Sequence, residues 1–135
     1  MNESTATRNV NKRVMDAESS AVVWKISDRF NAGRPDCHYL LDNPLYIEYK
    51  FVRAEKLPTR HTPALSPLQA RELKALFDIQ PDAVRVVVIF QIKKDLVFVE
   101  YTSPAEWENS SPIAGLQQHY GYNQIVNRIL SIIKR

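Results

Sequence analysis

Residues 83–92, AVRVVVIFQI, form a run of mostly β-branched side chains broken only by Arg85 and Gln91. Successive side chains leave opposite faces of a sheet, so apolar residues at both odd and even positions predict a strand covered on both sides. The rest of the chain must supply that cover. Helical spacing of Val14, Ala21, Val22 and Ile26 predicts a first helix from about Asn11 to Phe30. SPLQARELKALFDI predicts a second, with Ser66 as N-cap and Pro67 at the first helical position. LQQHYGYNQIVNRILSIIKR reads as a closing helix, weakened at Gly121, whose Ile125, Val126, Ile129, Leu130, Ile132 and Ile133 cover the sheet and offer any surplus to a homodimer. DCHYLL and LYIEYKFV predict a hairpin turned at DNP, and LVFVEY a further strand after KKD. RAEKLPTRHTPA and SPAEWENSSP read as loops. The expected architecture is α/β, a mixed sheet flanked by helices.

At 135 residues the chain makes one domain, expected over 13–135 after a polar, flexible tail at 1–12. Nothing approaches the length of a membrane span, and MNESTATRNVNKR has no apolar signal core. A lone cysteine, Cys37, excludes an internal disulfide and a thiolate zinc cluster, so a reducing cytoplasm is the expected setting. The net charge of +3 is compatible with a polyanionic partner without arguing for one.

Chemistry enters with GRPDCHYLLDNPLYIEYKF, residues 33–51. Alternation sends Glu48 and Lys50 to one face of the strand and Ile47, Tyr49 and Phe51 to the other. On its own an E-x-K triplet is most often a solvated strand face. Asp36, however, opens the preceding strand, and antiparallel pairing brings the start of one strand beside the end of the other. Two carboxylates beside an ammonium suit a hard cation such as Mg²⁺, which takes a few carboxylate oxygens and keeps several waters.

Pro35-Asp36 followed by Glu48-Tyr49-Lys50 resembles the PD-(D/E)xK nuclease signature. GRPD is similar to the G-x-P-D of VRR-NUC and Holliday-junction-resolvase relatives, LSPLQ to their L-S-x-x-Q, and DAESSAVVWK to their leading acidic helix. The resemblance covers about residues 14–101. It implies a restriction-endonuclease-like core in the order αβββαβ and a Mg²⁺-dependent DNA endonuclease, with Mn²⁺ able to substitute. Asp36, Glu48, the Tyr49 carbonyl and Glu18 are then the expected metal ligands, with Asp16 and Glu3 as lesser acidic candidates. Lys50 positions the attacking water, and Gln69 lies over the site. Lys25 is a phosphate contact by the same analogy. Arg53, Lys56 and Arg60 lie in or beside the basic loop that leaves the active strand and, with Arg34, are candidates to clamp DNA phosphates. The absence of a separate DNA-reading segment points to recognition of junctions, flaps or ends. The alternative is a catalytically silent nuclease-like module that binds nucleic acid or inhibits another protein.

Overall fold

The computed structural model describes residues 1–26 and 33–135. Helix α1 (Glu3–Ala17) leads into strands β1 (Val22–Lys25), β2 (Cys37–Leu40) and β3 (Pro44–Ala54). A two-residue strand β4 (Arg60–His61) precedes α2 (Pro67–Ile79), which is followed by β5 (Val84–Ile92) and β6 (Asp95–Tyr101). A short helix α3 (Pro104–Trp107), β7 (Ser111–Pro112), β8 (Gln117–Tyr120) and α4 (Gly121–Ile133) close the chain. Six strands make one mixed sheet in the order β1-β2-β3-β5-β6-β8, while β4 and β7 pair separately.

β3 and β5 are the parallel pair, joined by a crossover through α2, and every other neighbour in the main sheet is antiparallel. β5 is buried on both faces as its composition requires. Val86, Val88 and Phe90 join Leu73 and Trp107 beneath α2, whereas Val87 and Ile89 join Ala6, Val10 and Val14 of α1 and the apolar side of α4. The same alternation splits β3: Leu45, Ile47 and Tyr49 face α1, and Tyr46 faces α2. The α2 N-terminus is held by a reciprocal cap, in which Gln69 N–H donates to Ser66 Oγ at 3.1 Å and Ser66 N–H to Gln69 Oε1 at 3.0 Å.

Three sequence expectations are corrected. Residues 3–12 are not a flexible tail but the body of α1, capped by Asn2, with Ala6, Thr7, Val10, Asn11 and Val14 buried. The first helix ends at Ala17, and Val22–Lys25 is an edge strand paired with β2. The expected end of that helix at Phe30 lies outside the described residues. Gln117–Tyr120 is likewise a strand on β6, and Gly121, at φ +81°, turns the chain into α4. Within α4 the six apolar residues named above all join the core, four buried and two partly buried. No helix among the described residues is long and apolar enough to cross a membrane.

Candidate active site

The hairpin sets Cys37 opposite Ile47, so one further step along the ladder places Asp36 beside Glu48 and Pro35 beside Tyr49. Asp36 Oδ2 accepts the Tyr49 N–H at 2.9 Å, taking the place of a ladder carbonyl. A strand residue's N–H and C=O leave the same edge, so the Tyr49 carbonyl also points towards Asp36. Pro35 has no N–H to give that oxygen. The proline-aspartate pair thus ends the β2–β3 ladder and leaves a carbonyl and a carboxylate side by side.

Across the sheet face, α2 presents Gln69 to the same point. Lys50 Nζ donates to Gln69 Oε1 at 3.1 Å, and Gln69 Nε2 donates to Glu48 Oε2 at 3.3 Å. Lys50 Nζ lies 3.7 Å from Glu48 Oε2. Glu48 is only 2% exposed, which rules out a solvated strand face. Its Oε1 is buried with no hydrogen-bond partner. Burial, with the charge of Asp36 added to it, pushes the Glu48 carboxyl up to about 9, and the two carboxyl groups are close enough to share a hydrogen bond.

Glu3 is the third acid here. From the first turn of α1 it feels Asp36, Lys50 and Lys25, and its carboxyl is raised mainly by burial and next by Asp36. Glu18 does not reach the site. It follows the last turn of α1, about 22 Å along the helix axis from Glu3, and its carboxylate pairs with Lys134 at 3.1 Å. The acid that α1 contributes is therefore at its start, not its end.

The expected nucleic-acid contacts scatter more widely. Lys25 lies near Glu3 and donates to Ser4 Oγ at 3.2 Å. Arg34 is exposed at the mouth of a cavity beside the site. Arg53 donates to the Met1 carbonyl and lies over the Phe51 ring, Arg60 donates to the Ser110 carbonyl at 2.6 Å, and Lys56 is exposed in the loop after β3. Arg53 and Arg60 are thus engaged with backbone rather than poised around the carboxylates.

Gly33 explains why the acidic corner can sit so close to α2. A Cβ there would lie 2.6 Å from Glu72 Cγ, 2.8 Å from Leu68 Cγ and 3.2 Å from the Leu68 carbonyl. Gly33→Ala is expected to cost about 1–3 kcal/mol as the corner lifts from the helix. Urea unfolding at neutral pH measures it, and a variant as stable as the parent would show that the approach is not needed.

The fit to a divalent cation rests on the orphaned Glu48 Oε1, the Asp36 carboxylate and the Tyr49 carbonyl, all hard oxygen donors. Among the described residues no group of three or more His, Cys, Asp and Glu side chains is arranged to hold a metal ion. A cation here would keep water in its shell, the habit of Mg²⁺. Comparison with protein-family models, curated proteins and solved structures finds no match to this chain.

Proposed function

We propose that the chain is a Mg²⁺-dependent DNA endonuclease with a PD-(D/E)xK-type, restriction-endonuclease-like core. The observation that carries this reading is a Glu48 carboxyl that burial and the neighbouring Asp36 raise to about 9, linked through Gln69 to Lys50. Two carboxyl groups pressed together in a buried place are costly for a fold, and such perturbed groups concentrate where function demands them. The element order helix, three strands, helix, strand supports the same reading.

Asp36, Glu48 and the Tyr49 carbonyl would hold the cation with water completing its shell, and Glu3 would add negative charge nearby without being a ligand. Mg²⁺ bound there would polarise a phosphodiester and lower the pKa of a coordinated water. Lys50 is placed to orient that water, and Gln69 fixes the ammonium relative to Glu48. Asp36 itself is fixed by the Tyr49 N–H.

Incubation with plasmid, blunt duplex, flap and junction DNA in Mg²⁺ or Mn²⁺ tests the proposal. Cleavage is expected, and Lys50→Ala and Asp36→Ala are each expected to lower it at least about 100-fold with far-UV circular dichroism unchanged. Full cleavage by either folded variant would end the assignment of roles. A parent protein that binds DNA without cutting it and gives no Mg²⁺ heat by calorimetry would instead support the silent module.

A further inference from the structure

On the α2 face of the sheet, the row next to Asp36 and Glu48 is aromatic. Register pairs Trp24 with His38 and His38 with Tyr46 across β1, β2 and β3. His38 stacks on Tyr46 at 4.3 Å between centroids and 15°, and Trp24 tilts against His38 at 5.1 Å. Trp24 is 52% exposed on an edge strand, where a large ring gains little from the fold. Beside this row a cavity of about 230 Å³ is lined by Ile26, Arg34, Pro35, Tyr46, Glu72 and Leu76. Pro35 precedes Asp36, and Tyr46 is two residues from Glu48 on the same face, so the cavity lies beside the carboxylates without being lined by them. His38 Nε2 is buried with no hydrogen-bond partner, a vacancy that native structures seldom leave without a reason.

We propose that the groove between α2 and the edge strand β1 binds an unpaired nucleobase of the DNA strand, next to the phosphate held at Asp36 and Glu48. The identity of the ligand rests on the nuclease reading; the shape and chemistry of the groove do not. The half-exposed ring of Trp24, at the outer end of this row, offers a free π-face that suits any base. Arg34 at the rim can meet the adjoining phosphate. Glu72, across the same cavity, is an acceptor for a base N–H, the ring N3–H of thymine included. A base within a blunt duplex is stacked on its neighbours and cannot enter, so the groove selects flaps, single-stranded ends and junctions over blunt duplex.

The measurement is tryptophan emission and DNA affinity without divalent metal, using single-stranded oligothymidylate against a blunt duplex. Trp24 and the fully buried Trp107 are the two tryptophans, so only the first can be quenched by a stacked base. Oligothymidylate is expected to quench emission in the parent but not in Trp24→Phe. Trp24→Ala should weaken single-strand binding about tenfold and leave duplex binding unchanged, while Trp24→Phe retains the single-strand affinity. Equal losses for single strand and duplex, or no loss in Trp24→Ala, would overturn the subsite. Cleavage of DNA with Trp24 unquenched would overturn it alone, and quenching without any cleavage would overturn the nuclease reading while the subsite stands. A protein that neither binds nor cleaves DNA would overturn both.

Discussion

Glu48→Gln is expected to stabilise the metal-free protein above neutral pH while abolishing Mg²⁺ binding and DNA cleavage. The Glu48 carboxyl is pushed from its ordinary 4.5 to about 9 by burial and by the neighbouring Asp36 charge. Between those values the folded chain retains a proton that the unfolded chain has released. The stability tied to Glu48 is therefore fully present below about pH 4.5 and is lost as the pH rises through about 9. Glutamine keeps the shape and the Gln69 contact and carries no titrating proton, so its profile lacks this slope. At pH 8 the variant should exceed the parent by about 1–3 kcal/mol, the usual cost of an unsatisfied buried group. That is about 3–10 °C in Tm for a domain this size. Millimolar Mg²⁺ should reverse the ranking, because it can stabilise only the chain that binds it. Loss of a partner that merely orients a metal ligand already costs 10–100-fold, so removing a ligand should lower cleavage at least about 100-fold. Calorimetric melting across pH 5–9 with and without Mg²⁺ decides the matter. A parent insensitive to pH over that range, or a variant destabilised at pH 8, would remove Glu48 from the centre of the site.

Where local chemistry decided structure, the sequence was readable. Ser66 and Pro67 predict the start of α2, and the cap bonds of Ser66 with Gln69 are formed within that single turn. Period-two alternation in β3 correctly separated Glu48 and Lys50 from Ile47 and Tyr49. Where long-range pairing decided, local periodicity misled. Val14, Val22 and Ile26 keep helical spacing, so VVWK reads as more helix until β2 supplies a partner strand. The resemblance of DAESSAVVWK placed the acidic residue of α1 at Glu18, when Asn2 caps the helix sixteen residues earlier and makes Glu3 its first-turn acid. An Asn-x-x-Thr start with Ala6, Val10 and Val14 at four-residue intervals was the available signal. Gln117–Tyr120 is a strand because β6 has a free edge to pair, which nothing in QQHY announces. The packing of Gly33 on Leu68 and Glu72 joins segments far apart in the chain and was invisible as well.

Long-range assembly also produced the feature of the fold most sensitive to a single substitution. Glu100, in LVFVEY, is 2% exposed on the sheet face opposite Glu48. Arg85 Nε reaches its carboxylate at 2.9 Å, His119 Nε2 at 2.8 Å, and Arg128 through Nε at 2.9 Å and Nη2 at 3.0 Å. Burial alone would raise this carboxyl, but bonds from His119, Arg128 and Arg85 outweigh it and hold the group at about 2. Its pH dependence is opposite in sign to that of Glu48: the stability is present above about 4.5 and is lost as the pH falls towards 2. Glu100→Ala should cost about 3–5 kcal/mol, since it strands two partly buried guanidiniums without a counter-charge. Denaturant unfolding at pH 7 should show that loss, and the gap between variant and parent should narrow as the pH is lowered towards 2. A cost below about 1 kcal/mol at pH 7 would mean that water screens the cluster as at an exposed ion pair. Because Glu48 and Glu100 titrate in opposite senses, the metal-free parent should be most stable near pH 4–5, the region where Glu48 is protonated and Glu100 is still charged.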